Sequence, residues 1–310
     1  MTKIFIDGKA GTTGLRIYER LSTRDDIEII TLSEEERKLP EARRRALNSC
    51  DIAFLCLPDD AAREAVAMIE NENVVVLDTS TAHRTDTAWC YGFPELSAEY
   101  EKKLLSSKRI AVPGCHASGF IALVYPLIEK GIIGADTLLT CHSLTGYSGG
   151  GKKMIAEYEA DERCELLDAP RQYGITQQHK HLKEMKAITG IENAPAFCPI
   201  VSDFYSGMLV TVPLFKSQLC EGFDINSIKE TYAEKYRGEV VKYCDSLDEG
   251  GFVAANAVAM KDSMLITVNG NEDRILLTAL YDNLGKGASG AAIQCMNMVM
   301  GIDKTIGLVL

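Results

Sequence analysis

The chain opens Lys3-Ile4-Phe5-Ile6-Asp7, a short apolar strand, and runs straight into Gly8-Lys9-Ala10-Gly11-Thr12-Thr13-Gly14. A helical spacing of apolar residues follows at Leu15, Ile17, Tyr18 and Leu21. Strand, glycine turn and helix in that order leave few folds open, because they bring a helix N-terminus and free N–H groups beside a strand end. That geometry holds a pyrophosphate, and the glycines let the backbone approach it. The spacing Gly-x-x-Gly-x-x-Gly is one residue off the usual dinucleotide fingerprint. A plain tight turn opening a helix is the alternative.

Alternation continues. Residues 27–32, 51–58 and 74–78 read as strands, and helical patterns separate them. The near-continuous apolar run at 52–57 is expected of a parallel strand covered on both faces. The pattern through residue 114 therefore predicts a doubly wound, Rossmann-type parallel sheet in an α/β chain. The second strand ends at Ser33, before three glutamates and Arg37-Lys38. A small hydroxyl with a nearby arginine accommodates a 2′-phosphate, so NADP is expected, read by Ser33 and Arg37. Otherwise 34–38 is a solvated helix start.

Ile110-Ala111-Val112-Pro113-Gly114-Cys115 is a strand feeding a turn, with small residues behind the cysteine that suit a helix start. A thiol at a helix N-terminus meets unpaired N–H groups and the positive end of the dipole, which favour thiolate. A buried, inert cysteine is the alternative. The chain has 310 residues, enough for two lobes, and a net charge of −11, which disfavours nucleic acid as a partner. Its ten cysteines include no Cys-x-x-Cys pair, and there is no signal peptide, so reduced thiols and a cytoplasmic chain are expected. No apolar run is long enough for a membrane span.

Beyond Cys115 the character changes. Residues 137–144 read as a strand leading to Thr145-Gly146-Tyr147-Ser148-Gly149-Gly150-Gly151-Lys152-Lys153, a loop suited to an anionic group or simply flexible. Tyr173 and His179-Lys180-His181-Leu182-Lys183-Glu184 follow. The two histidines suit acid/base work or substrate contact better than metal, for no third histidine lies nearby; plain surface residues are the alternative. Residues 208–214, 251–261, 263–269 and 274–281 alternate or run apolar, predicting a mostly antiparallel sheet in an α+β second domain. The stretch from Asn283 to Gly290 borders a cofactor or is a tight loop before a small-residue helix at 291–300.

Gly11-Thr12-Thr13-Gly14, Tyr91-Gly92-Phe93-Pro94-Glu95-Leu96, Pro113-Gly114-Cys115, Ser148-Gly149-Gly150-Gly151-Lys152, the His179/His181/Glu184 set and Lys286-Gly287-Ala288-Ser289-Gly290 together resemble the N-acetyl-γ-glutamyl-phosphate reductase family, in its shorter form. That family is related to aspartate-semialdehyde and glyceraldehyde-3-phosphate dehydrogenases. The resemblance implies an NADP-binding domain over 1–114 and 286–310, and a catalytic and oligomerisation domain over 115–285. It further implies a homotetramer or homodimer acting on a small acyl phosphate, with inorganic phosphate released through a Cys115 thioester. His181 or His179 then serves as acid/base, His181 being favoured. Arg84, Ser148, Gly149, Tyr173 and Glu184 would contact substrate, with Arg84 at its phosphate. Gly8, Gly11, Thr12, Thr13, Gly14, Ser33, Arg37 and Asn283 would contact cofactor, and no metal is implied. His116 and His142 match no motif position.

Two further readings compete. One keeps the chemistry and changes the substrate to aspartyl phosphate or a carrier-bound aminoadipyl phosphate, though an acidic chain suits an acidic carrier poorly. The other is a dinucleotide-sensing Rossmann regulator with a structural Cys115.

Overall fold

In the computed structural model, which describes residues 1–310, the opening run becomes β1 (Thr2–Asp7) and the glycine turn leads into α1 (Thr12–Leu21). The chain continues through β2 (Ile27–Ile30), α2 (Pro40–Ser49), β3 (Ile52–Leu55), α3 (Asp59–Ala67) and β4 (Val75–Asp78). After these come β5 (Cys90–Tyr91), α4 (Ala98–Ser106) and β6 (Arg109–Ala111). The strands form a six-stranded sheet in the order β2-β1-β3-β4-β6-β5, parallel throughout. All four residues of β3 are buried. Ile52 and Phe54 pack into one core with helix Gly290–Val299, and Ala53 and Leu55 into another with α2. Period-two alternation thus feeds two cores, which is why β3 reads apolar without interruption.

Strand order reverses between β1 and β3, and Gly8 sits at that switch point. Its φ is +87°, and a Cβ there would stand 2.2 Å from the Cys56 carbonyl oxygen. Only glycine fits.

Residues Met1–Pro113 and Ala288–Leu308 make one compact unit, and Gly114–Gly287 with Val309–Leu310 the other. The second unit starts with α5 (Cys115–Glu129), then β7 (Thr140–Gly146), α6 (Gly151–Tyr158), β8 (Arg171–Gln172) and α7 (His181–Thr189). It continues with β9 (Ala196–Ser202), β10 (Met208–Phe215), α8 (Ile225–Lys235), β11 (Val241–Tyr243), β12 (Met264–Gly270) and β13 (Arg274–Tyr281). Its seven-stranded sheet runs β11-β12-β13-β10-β7-β9-β8. The β11–β12 and β7–β9 pairs are parallel and the rest antiparallel, a mixed sheet of mostly antiparallel character.

α5 is apolar on every side and packs against β10, β13, α7 and α8. Pro126 inside it has no N–H for the Ala122 carbonyl four residues back. The buried Tyr236 hydroxyl donates to that carbonyl at 2.6 Å, and Tyr232 donates to Leu123. Two phenols thus satisfy the stretch of helix that the proline disturbs.

Three sequence expectations differ. Residues 251–261 form turns rather than a strand: the Met260 N–H goes to the Asp282 carboxylate, and Ala255 lies against Gly207. The sheet instead gains β11 and β9, the latter hidden in sequence by Pro199 at its centre. The strands expected at 27–32 and 137–144 fall at Ile27–Ile30 and Thr140–Gly146.

Gly8→Ala should lower stability by roughly 2 kcal/mol or more, since steric overlap adds to a left-handed φ. Gly131→Ala, with φ +68° and nothing within 4 Å, should cost about 1 kcal/mol. Urea denaturation of the two variants checks the contrast.

Candidate active site

Cys115 is the first residue of α5 and partly exposed. Its helix start is held from two sides. The Gly114 N–H donates to Glu184 Oε1 of α7 at 2.8 Å. The Tyr281 hydroxyl donates to the Cys115 carbonyl at 2.5 Å and accepts the Gly119 N–H at 3.0 Å. A Cβ at residue 119 would lie 2.7 Å from that phenol oxygen, so Gly119 is what lets Tyr281 reach the first turn. Here the thiol faces the positive end of a helix dipole that cannot shift.

Imidazoles gather around the next residue, His116. The His116 ring lies 5.6 Å from that of His181 and 5.8 Å from that of His179, and those two stand 4.7 Å apart. His116 is buried, with Nδ1 2.7 Å from Ser143 Oγ on β7 and Nε2 2.5 Å from Tyr173 Oη. Burial, with His179 adding to it, pushes the His116 pKa down to about 3, so this ring is neutral at ordinary pH. His179 is lowered for the same reason, with Lys180 adding to it. His179 Nδ1 accepts the His181 N–H at 3.2 Å, which leaves the proton of the neutral ring on Nε2. Burial, and after it the nearby Cys115 charge, raises the Tyr173 phenol well above its ordinary value. No set of three or more His, Cys, Asp or Glu is arranged to hold a metal ion.

The loop carrying Tyr173 and His179 is fastened to β9. Tyr173 N–H donates to the Pro199 carbonyl, and the Gln177 amide exchanges hydrogen bonds of 2.7 and 2.8 Å with the Phe197 backbone. Gln177 has φ +56°, a strained value for a non-glycine residue that these bonds offset. Neither His116 nor Gln177 stood out in sequence. The only signal for His116 was adjacency to Cys115, and for Gln177 there was none.

Ser148 is buried, and its hydroxyl accepts from Asn283 Nδ2 at 3.0 Å, while Asn283 Oδ1 accepts the Gly207 N–H. Asn283, expected at the cofactor, thus spends its amide within the second unit as the brace of the Ser148–Gly149 loop. Glu184, expected at substrate, supports the Gly114 N–H. Arg84, expected at a substrate phosphate, is buried and gives Nε to the Val112 carbonyl and a terminal nitrogen to that of Thr79. Those donors tie together the ends of β4 and β6.

In the first unit, Gly14 packs on Gly8, where a Cβ would meet its carbonyl oxygen at 2.6 Å. At Gly11 a Cβ would meet nothing closer than 3.5 Å, so the protein's own packing does not require glycine there. The buried Thr12 hydroxyl, beside Thr13 on the first turn of α1, has no hydrogen-bond partner. An open glycine and an orphaned hydroxyl at a helix N-terminus fit a dinucleotide pyrophosphate. Alongside lies a cavity of about 530 Å³ lined by Lys9, Arg37, Lys38 and Arg43 among others. Arg37 pairs with Glu34 and Arg43 with Asp7. Ser33, expected to read the 2′-phosphate, instead exchanges hydrogen bonds with Glu36 and caps the turn.

Known proteins agree with this division. Residues 3–104 match the family model of the semialdehyde dehydrogenase NAD binding domain, and residues 115–283 that of the semialdehyde dehydrogenase dimerisation domain. Aspartate semialdehyde dehydrogenase II from Vibrio cholerae superposes with a TM-score of 0.72 at 15% identity, covering 97% of this chain and 98% of that one. Aspartate semialdehyde dehydrogenase with NADP from Candida albicans gives 0.66 at 16% identity, covering 99% of each chain. The class is therefore that of the semialdehyde dehydrogenases. Within it, the chain is 43% identical over 99% of both lengths to N-acetyl-gamma-glutamyl-phosphate reductase 2 from Nostoc. It is also 44% identical to the N-acetyl-gamma-glutamyl-phosphate reductase of Sinorhizobium medicae, over 96% of this chain and 98% of the relative. The chain belongs to the N-acetyl-gamma-glutamyl-phosphate reductase family.

The neutral imidazoles set a pH dependence. His116 takes up a proton near pH 6.5 in the unfolded chain but only near 3 when folded, so between those values the unfolded state holds more protons. Stability should fall on acidification through that window by up to roughly 1.4 kcal/mol per pH unit from this ring, with His179 acting in the same direction. His116→Gln should flatten the slope by about one proton, read from urea midpoints at about pH 5.5 and 4.5.

Proposed function

We propose that the chain is an NADPH-dependent acyl-phosphate reductase, converting N-acetyl-γ-glutamyl phosphate to N-acetylglutamate 5-semialdehyde and inorganic phosphate. The observation that carries this is Cys115, held on the first turn of a buried helix that also carries the neutral His116, in a chain whose relatives bear that enzyme's name. The Cys115 thiolate attacks the acyl carbon; a C–S bond forms, the C–O bond to phosphate breaks, and inorganic phosphate leaves. Splitting the reduction through a thioester gives a carbonyl that accepts hydride more readily than a carboxylate. A bound reduced dinucleotide supplies that hydride. His181 takes the thiol proton, lends it to the carbonyl oxygen while charge resides there, and recovers it as the C–S bond breaks. His179 is the less suited base because its Nδ1 already accepts a backbone N–H. The Ser148–Gly149 loop and Tyr173 frame the acyl chain.

Gly8, Gly11, Thr12, Thr13 and Gly14 would hold the pyrophosphate. NADP rather than NAD is supported by four cations lining this cavity, Lys9, Arg37, Lys38 and Arg43, which outnumber its acids Asp7 and Glu34. The sheet of the second unit leaves one face part-exposed and uncharged at Leu144, Ile200, Leu209 and Thr211, which suits pairing with a second copy in a dimer or tetramer. No helix is long and apolar enough to cross a membrane, and the ten cysteines are thiols, which fits a reducing cytoplasm.

Phosphate-dependent reduction of NADP with N-acetylglutamate semialdehyde should exceed that with aspartate semialdehyde or an aminoadipate semialdehyde by at least about 10²-fold. Preference for either competitor would overturn the substrate. Cys115→Ser should lose roughly 10³-fold or more in rate while NADPH affinity stays within about twofold. Retained turnover would sink the thioester. Leu144→Arg should shift the sedimentation coefficient toward monomer, because an arginine facing its own symmetry copy is left desolvated and unpaired.

A further inference from the structure

His116 follows Cys115 directly, but a helix turns about 100° per residue, so the two side chains leave in different directions. The cysteine is partly exposed and the histidine is buried. Edges and faces of His179, His181 and Phe197 surround the ring, all with centroids within 6 Å. It cannot swing out. Both nitrogens are engaged, Nδ1 with Ser143 and Nε2 with Tyr173. A neutral imidazole has one donor and one acceptor, so hydrogen bonds through it run in one direction. When Ser143 donates to Nδ1, Nε2–H donates to the phenol oxygen, and the phenol's own proton is left for a third group.

We propose that His116 is a positioning residue that fixes the Tyr173 hydroxyl as a hydrogen-bond donor to the carbonyl oxygen of the acyl group carried on Cys115. This deepens the reading of Cys115 as nucleophile and rests on it. Tyr173 is held at both ends, by its N–H on the Pro199 carbonyl and by His116 at its hydroxyl. Burial and the Cys115 charge keep the phenol protonated, as a donor must be. His116 stays neutral and is therefore no partner for the thiolate. A donor fixed in advance loses no reorganisation energy when charge gathers on the oxygen.

The test is a double-variant cycle on the full chain, with Cys115 alkylation as a second readout. Tyr173→Phe should lower kcat about 10²-fold. His116→Asn, too short to reach the phenol, should lower kcat about 10- to 100-fold with KM within about threefold. His116→Gln, whose amide reaches the Nε2 position, should recover to within about fivefold of the parent. In the Tyr173→Phe background neither His116 change should cost more than about twofold further. The pH midpoint of iodoacetamide labelling at Cys115 should move by less than about 0.3 in the His116 variants. Multiplicative losses in the double variants, an unchanged kcat in His116→Asn, or a labelling midpoint moved by about one pH unit would each overturn the relay. Should His116→Asn fail to fold, as judged by circular dichroism, Ser143→Ala at the far end of the chain of bonds takes its place in the cycle. If labelling Cys115 leaves turnover intact, the nucleophile assignment fails instead, whatever the cycle gives.

Discussion

A helix buried on every side has little freedom to adjust its first turn, and α5 is such a helix. Its carbonyls and N–H groups near Cys115 are fixed by phenols and a carboxylate from other elements, Tyr281 and Glu184 at the start, Tyr232 and Tyr236 further along. Each bond contributes only about 1 kcal/mol of net stability. Their larger effect is geometric. A thiol gains from a helix N-terminus only within the first turn, where the dipole is felt, so a drift of one residue would forfeit the effect.

Burial and charge act in opposite senses in the same few ångströms. Desolvation disfavours any charged group, and it wins outright at His116, Tyr173 and Tyr281, which are pushed toward their neutral forms. Cys115, by contrast, is partly exposed and stands on the first turn of α5. The result is one ionisable sulfur amid hydrogen-bonding groups that stay neutral over the working range. Such groups reorient little as charge moves, and that favours a reaction in which negative charge passes from sulfur to oxygen and back.

The cofactor-type half was largely legible in the sequence because each strand there is a short apolar run closed by glycine, proline or serine, and a parallel sheet admits few connections. Cys115 was legible for a local reason: strand, turn and helix start are adjacent in the chain. What failed to show depends on distant partners. Pro199 argued against a strand at 196–202, yet β9 lies between β7 and the two-residue β8, where a missing N–H removes little of the ladder. Residues 251–261 look like a strand because valines and alanines alternate loosely, but their backbone is committed to Asp282 and Gly207. Arg84, Asn283 and Ser33 have the right chemistry for ligands. Their contacts within the protein, Arg84 with the Val112 and Thr79 carbonyls, Asn283 with Ser148 and Ser33 with Glu36, have no local sequence signal.

β7 carries both the inner and the outer face of the second unit's sheet. Ser143 points inward to His116, while its neighbours His142 and Leu144 lie on the opposite, more open face. Seven consecutive residues of β7 are in register with β9, and four of them with β10. A single-residue insertion or deletion inside Thr140–Gly146 would exchange the two faces, putting an imidazole or a leucine where the serine hydroxyl belongs and a serine on the outer surface. The strand thus behaves as a ruler whose unit is one residue.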